Sequence, residues 1–296
     1  MAKWRAADIP DQSGRTFVVT GANSGLGEAT ARALAAHGAR VVLACRNTDK
    51  GEAAAAGMSG DVRVRALDLA DLVSVRRFAE ELTGEVGEID VLVNNAGVMA
   101  VPEKRTADGF EMQFGTNFLG HYALTGLLLP AVRDRVVTLS SIFHYVGRIN
   151  LGDLNWQRRH YRRWGAYAQS KLADLMFAHE LGRRLAERDS TVISSAAHPG
   201  YASTELQSHT ESIQDRILGI GNTVMAQDAE HGALPELYAA TMPDVVNGAF
   251  YGPDGPGELR GHPHRVRSSK ASRDPEVAAK LWERAREMTG VTVLAD

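Results

Sequence analysis

The sequence predicts an α/β protein of the doubly wound kind, a central parallel sheet of about seven strands flanked by helices on both faces. Three observations predict it. Short β-branched runs alternate with longer Ala- and Leu-rich stretches of helical period along the chain. The runs are largely apolar, as strands covered on both faces are. The first of them leads directly into a glycine cluster and then a helix.

Taken in order, "RTFVVT" (15–20) is the first strand and residues 25–37 the first helix. "ARVVLAC" (39–45) and "VRVRALD" (62–68) are the second and third strands, separated by a helix near 49–57 and followed by one near 71–83. "IDVLVNNAG" (89–97), "RVVTLSS" (135–141) and "TVISSAAHPG" (191–200) are the next three, with helices over 107–130 and 167–188 between them. A helix at 226–240 precedes a seventh strand, "GAFYG" (248–252). A last helix over 275–289 opens with Asp274 as cap and Pro275 at its first position. In such a sheet ligands bind beyond the carboxyl ends of the strands, so chemistry is expected just after them.

The chain-wide numbers narrow the classes. With 296 residues, 44% hydrophobic and 23% charged, the composition is that of an ordinary globular protein. A chain of this size buries roughly three quarters of its unfolded surface and needs no disulfide or metal to fold. Its one cysteine, Cys45, excludes an internal disulfide and fits a reducing compartment. A net charge of −3 gives no push toward nucleic acid or anionic membrane. No run approaches the ~20 apolar residues of a membrane span, and the start, "MAKWRAADIPDQSG", lacks a signal peptide's apolar core. A cytoplasmic protein is expected. The ten histidines show no metal-ligand spacing, so no metal is expected. Residues 1–296 read as one domain, with a core over about 14–252 and a turn-rich loop and helix over 253–296.

Gly21, Gly25 and Gly27 follow the first strand with the spacing G-x3-G-x-G. Glycine lets the backbone turn sharply and approach a phosphate, and the helix N-terminus behind it favours a pyrophosphate. A dinucleotide site is expected here. An acid at the end of the second strand would accept from the adenosine ribose and mark NAD, whereas an arginine pairs with a 2′-phosphate. Arg46 stands there, so NADP(H) is favoured, against the plainer reading of a solvated arginine. Cys45 beside it reads as a small apolar wall. Asp68, closing the third strand, either accepts from an adenine amino group or caps the next helix.

Tyr167 and Lys171 lie four apart at the start of a helical stretch and so share a face. A phenol is a poor base near neutrality, but a neighbouring ammonium and a helix N-terminus favour its anion. Such a tyrosine takes a proton from an alcohol, or gives one to a carbonyl, while hydride moves to or from a nicotinamide. Ser140 or Ser141, just after the fifth strand, is placed to polarise the same oxygen. Tyr145 and Tyr161 have no lysine four residues on.

"TGANSGLG" (20–27), "NNAG" (94–97), Asn117 in "FGTNFLGHY", "LSS" (139–141), "YAQSK" (167–171) and "HPG" (198–200) together resemble the short-chain dehydrogenase/reductase superfamily over roughly 14–252. "ACRN" (44–47), the 26-residue Ser141–Tyr167 spacing and the C-terminal "YGPDGPGELRG" are similar to its retinol dehydrogenase-like and protochlorophyllide reductase-like branch. The resemblance implies a Rossmann-type fold and a catalytic set of Asn117, Ser141, Tyr167 and Lys171, with Ser140 a structural neighbour. Asn117 would hold a water linking Lys171 to solvent. Cofactor contacts would come from Gly21, Asn23, Ser24, Gly25, Leu26, Gly27, Arg46, Asp68, Leu69, Asn94, Ala96, Gly97, Tyr167, Lys171, Pro199, Gly200 and Thr204. The implied activity is NADP(H)-dependent interconversion of an alcohol and a ketone or aldehyde, on a hydrophobic small molecule. A homodimer or homotetramer is also implied. The branch's vertebrate members often carry an N-terminal apolar anchor; no such segment is read in this sequence, so neither retinol nor a membrane location is among the expectations.

Two rivals stand beside this reading. A sugar-nucleotide epimerase or dehydratase shares Tyr-x3-Lys, but usually has G-x2-G-x2-G and a larger C-terminal substrate domain. A catalytically silent dinucleotide-binding regulator would not need the intact Asn, Ser, Tyr and Lys set. Residues 201–225 are too long for a connection of about 2–6 residues and read as a substrate lid. Its Ile213, Ile217, Leu218 and Ile220 suggest an apolar cavity, or packing on the body or a partner. Residues 142–166 read as an inserted loop that selects the substrate. Within it "RRHYRR" (158–163) reads as solvated or as a rim attracting an anion, and His144 and Tyr145 as substrate-facing or merely packed.

Overall fold

The structure is a computed structural model that describes residues 3–201 and 228–294. Its strands are β1 (Thr16–Thr20), β2 (Arg40–Cys45), β3 (Val62–Ala66), β4 (Ile89–Asn94), β5 (Val132–Leu139), β6 (Ile193–Ala197), β7 (Phe250–Pro253) and β8 (Pro263–Arg265). They form one sheet in the order β3-β2-β1-β4-β5-β6-β7-β8. The first seven run parallel, and β8 pairs antiparallel with β7, Tyr251 facing Arg265. This eighth strand is an addition to the sequence reading. It is three residues long and lies within a Gly/Pro-rich stretch, where no hydrophobic period announces it.

The helices are α1 (Gly25–Ala36), α2 (Thr48–Ala55), α3 (Leu72–Val86), α4 (Gly120–Leu128), α5 (Arg163–Ala186), α6 (Ala229–Thr241) and α7 (Pro275–Thr289). Successive residues of a strand face opposite sides, so each strand feeds two cores. Phe17 and Val19 of β1 pack with Leu34 of α1 and Leu237 of α6. Val18 joins Phe78 of α3, Tyr122 of α4, Met176 of α5 and Trp282 of α7 on the other face. Strand order reverses between β1 and β4, and the crevice that opens there is the expected ligand position.

One helix starts later than its pattern predicts. Residues 107–130 read as one helix, but 105–111 form a bridge and turn, with Arg105 paired to Glu111 and Gly109 at φ +82°. The Glu111 carboxylate then accepts the Gln113 and Phe114 N–H groups at 3.0 and 2.7 Å, which starts the helix. A π turn, Phe114–Leu119, precedes α4, a distortion that often marks a functional site. The proposed lid, with Thr204, Ile213, Ile217, Leu218 and Ile220, lies outside the described residues except for Tyr201.

The terminal helix α7 has the predicted bounds. Asp274 Oδ1 accepts from the N–H groups of Glu276 and Val277, Pro275 fills the first position, and Gly290 ends the helix left-handed at φ +64°. Trp282 inserts between Tyr122 and Phe177, with ring centroids 5.5 and 5.6 Å away, and covers α4 and α5. Asp274→Ala removes an exposed cap and is expected to cost about 1 kcal/mol. A small fall in Tm, with unchanged far-UV circular dichroism, is the expected measurement.

Candidate active site

The turn after β1 is shaped by what lies against it. Gly21 sits at φ +67°, and a Cβ there would come within 2.9 Å of the Ala96 Cβ. A Cβ on Gly27 would come within 2.4 Å of Asn95 Nδ2 and 2.5 Å of the Gly21 carbonyl. The glycine turn therefore rests directly on the "NNAG" segment. Asn95 Nδ2 donates to the Thr20 carbonyl at 2.6 Å, and the Asn95 and Ala96 N–H groups both donate to Thr20 Oγ1 at 2.9 Å. Ser24 opens α1 without a side-chain cap bond, so the turn offers its helix N–H groups to a ligand. Asn23, Ser24 and Gly25 are half-buried at this mouth, while the Leu26 side chain turns into the core. These features fit a dinucleotide's pyrophosphate: close packing of Gly21 and Gly27 on Ala96 and Asn95 sets the turn, and α1 opens directly behind it with no side-chain cap.

At the end of β2, Arg46 is exposed and bonds no other described residue. Cys45 is buried, and burial pushes its thiol up to about 11, as befits an apolar wall. The two roles left open for Asp68 separate here. Asp71, not Asp68, caps α3 by accepting the Val73 N–H, while Asp68 Oδ1 accepts from Ala70 N–H at the crevice edge. Leu69 is buried with its carbonyl against Gly120, where a Cβ would approach to 2.4 Å. Asn94 is turned away from the crevice: its Nδ2 donates to Thr125 Oγ1 of α4, and only its backbone remains at the strand end. Gly200, at φ +70°, is pressed against the Leu259 carbonyl, and its N–H donates to His198 Nδ1, which fixes the turn at Pro199.

Four segments converge on Lys171. Its ammonium donates to the Leu139 carbonyl at the end of β5 (2.8 Å) and to Asp174 Oδ2 (2.9 Å). A Cβ on Gly97 would lie 3.3 Å from Asn117 Oδ1 and 3.7 Å from Lys171 Nζ, so "NNAG", the π turn and α5 meet at this point. Asn117 Oδ1 accepts from Val98 N–H, and its Nδ2 donates to the Val98 carbonyl and to Ser170 Oγ. Ser170 Oγ in turn donates to the Tyr167 carbonyl. The serines also part company. Ser140 donates its hydroxyl to the Lys171 carbonyl, whereas Ser141 opens a short 3-10 turn (Ile142–Tyr145) and accepts the Phe143 N–H at 3.3 Å.

Asp174 is the residue here that the sequence reading missed. It is fully buried, and burial raises its carboxyl to about 6 against the opposing pull of Lys171. Burial also opposes the Lys171 charge, but the Asp174 carboxylate, joined by the charge of an ionised Tyr167, outweighs it and holds the amine above its ordinary value. The signal was available as an acid three residues after the lysine, on the same helix face.

The inserted loop is anchored as well as solvated. Arg158, His160 and Arg162 are exposed, but the Arg159 guanidinium stacks 3.5 Å from the Trp156 ring centre and bonds Asp153 and Gln169. The Tyr161 hydroxyl lies 3.0 Å from Glu111 Oε1. Phe143 stacks on Trp164 at 5.0 Å, and both rings stand edge-on to Tyr167. Trp164 is 41% exposed, so this aromatic pair walls the approach to Tyr167. His144 is packed rather than substrate-facing: Nδ1 binds the Ser141 carbonyl and Nε2 the Ser269 N–H, while the Tyr145 hydroxyl donates to the Arg267 carbonyl. The C-terminal tail thereby holds the turn that carries Ser141.

Residues 15–215 match the family described as short chain dehydrogenase. Human retinol dehydrogenase 13 is 41% identical over 300 residues, covering 96% of this chain and 86% of that protein. The crystal structure of an uncharacterised protein from Mycobacterium paratuberculosis is 49% identical with a TM-score of 0.86, covering 99% of this chain and 100% of that one. A short chain dehydrogenase/reductase from Burkholderia phymatum, solved in complex with NAD, shares the fold at 22% identity and a TM-score of 0.63, covering 77% of this chain and 86% of that one.

Proposed function

The chain belongs to the short-chain dehydrogenase family of oxidoreductases, and we propose that it interconverts an apolar alcohol and its aldehyde or ketone with NADP(H). Structural neighbours bind NAD or NADP, and when bound the nicotinamide gives hydride to the carbonyl carbon or takes it from the alcohol. The observation that carries the proposal is the convergence on Lys171. Its ammonium is held by the Leu139 carbonyl and Asp174, beside Gly97 and Asn117 and one helical turn from Tyr167.

In the reducing direction Tyr167 gives its phenolic proton to the substrate oxygen, and in oxidation it takes that proton back. Ser141 donates a hydrogen bond to the same oxygen. The Lys171 charge stabilises the anion that develops on the phenol, and Asp174 holds that charge in place. The Asn117 side chain is committed to Val98 and Ser170, so its backbone carbonyl is the group it offers to a water on the proton path. Phe143 and Trp164 favour an apolar substrate body, and the relative named retinol dehydrogenase supports that class.

Arg46 would bind the 2′-phosphate of NADP(H), because its guanidinium stands exposed at the end of β2 with no partner among the described residues. A hydrogen bond between charged groups is worth about 1.5–3 kcal/mol, which corresponds to roughly ten- to a hundredfold in affinity. Arg46→Ala is therefore expected to weaken NADPH by that factor and leave NADH nearly unchanged, read by fluorescence titration. Equal affinity of the unmodified protein for NADH and NADPH would overturn the NADP assignment.

A further inference from the structure

His121 follows Asn117 by one helical turn and is 2% exposed, in a position the reaction as described does not use. Its Nδ1 lies 2.7 Å from the Asn117 carbonyl oxygen and its Nε2 lies 2.9 Å from Thr20 Oγ1. A carbonyl only accepts, so Nδ1 carries the proton. Nε2 of a neutral ring then accepts, and the Thr20 hydroxyl donates to it. That direction is consistent at the other end, where Thr20 Oγ1 already accepts from the Asn95 and Ala96 N–H groups. The Thr20 hydroxyl also lies 3.4 Å from the Val93 carbonyl, but the 2.9 Å contact with Nε2 is the shorter, so its proton is assigned to the ring. The chain of hydrogen bonds runs from the Asn95 and Ala96 amides through Thr20 and His121 to the Asn117 carbonyl.

We propose that His121 is a positioning residue whose neutral ring ties the Asn117 carbonyl to the turn that cradles the cofactor. The inference rests on the reading above that this carbonyl lies on the proton path. Thr20 immediately precedes Gly21, and Ala96 is the residue Gly21 rests against. The ring therefore joins the floor of the cofactor cradle to the proton path through two hydrogen bonds. Burial drives the ring's pKa down to about 3; the Asn117 carbonyl pulls the other way, and the Lys171 charge on α5 adds to the fall. A ring kept uncharged beside Lys171 can hold one tautomer while protons pass nearby.

Two measurements test this, and the first does not depend on turnover. In the full-length protein labelled with 15N-histidine, His121 is expected as the Nδ1–H tautomer, unchanged from about pH 5 to 9. An Nε2–H tautomer, or titration inside that range, overturns the proposal whatever reaction the enzyme performs. The second compares His121→Ala with His121→Asn, whose amide N–H can replace Nδ1–H toward the Asn117 carbonyl. His121→Ala is expected to lower kcat about ten- to a hundredfold, as misplacement of a group on a reaction path does. NADPH affinity is expected to stay within about threefold, well under the 1.4 kcal/mol that a tenfold change represents. A larger solvent isotope effect should accompany the lower kcat, and His121→Asn should recover most of the rate. Unchanged kcat in His121→Ala, or no recovery in His121→Asn, contradicts the proposal. If His121→Ala fails to fold, the tautomer measurement and the kcat of His121→Asn against the native enzyme still decide it.

Discussion

Tyr167→Phe is expected to lower alcohol–carbonyl turnover by about a thousandfold, within the range over which a positioned acid or base contributes. Only the hydroxyl is lost. The ring that stands edge-on to Phe143 and Trp164 stays, so the pocket wall and NADPH affinity are expected to survive. Steady-state kcat and an NADPH titration on the same preparation separate the two. Tyr145→Phe is the informative control. Its hydroxyl donates to the Arg267 carbonyl at 2.9 Å, a tail contact away from the proton path, and its effect should be small by comparison.

Lys171→Met carries the second large expectation, because it harms stability and activity for different reasons. Asp174 is buried with Oδ2 on the lysine and Oδ1 bonded to no described residue. Removing the lysine leaves a buried carboxylate alone, and breaking such a pair costs about 3–5 kcal/mol. The sign with pH follows from linkage. An unpaired buried carboxyl titrates higher in the folded than in the unfolded chain, so the folded state binds more protons. The stability deficit should therefore be smallest near pH 5, and should grow as pH rises until the folded-state pKa is passed. Adding Asp174→Asn in the double variant removes the lone charge and should restore most of the lost Tm. It should not restore kcat, since the charge beside Tyr167 is still missing. Recovery of both together would mean that Lys171 acts only as a structural partner of Asp174.

These expectations also show where the sequence was readable and where it was not. The glycine turn was legible because Gly21 and Gly27 answer to backbone contacts that few other residues could make. Helix α7 was legible because Asp274, Pro275 and Gly290 are local punctuation whose physics needs no partner. The choice between Ser140 and Ser141 was not readable from the residues, since adjacent serines at a strand end look alike. It is made by α5, whose Lys171 carbonyl takes the Ser140 hydroxyl. Asp174 and His121 were missed for a related reason. An acid or histidine spaced by a helical turn from a polar residue usually marks a solvated face, and only the packing of α4 and α5 under the sheet shows these two to be buried. Glu111 misled in the same way: a carboxylate in a polar stretch looked like helix interior, and its burial as the cap that starts the helix appears only in three dimensions. The run at 158–163 read as solvated or as a rim attracting an anion, whereas Arg159 and Tyr161 turn inward onto Trp156 and Glu111.

In the proposed reaction hydride passes between NADP(H) and an apolar carbonyl or alcohol, with Tyr167 supplying the proton. Isotope transfer tests it most directly. Purified full-length protein would be incubated with NADPH deuterated at C4 of the nicotinamide and a panel of long-chain and aromatic aldehydes, and the alcohols analysed by mass spectrometry. One deuterium is expected on the carbinol carbon of at least one apolar product, almost abolished by Tyr167→Phe. Deuterium transfer that persists undiminished in Tyr167→Phe, or none to any aldehyde from protein that binds NADPH, would contradict it.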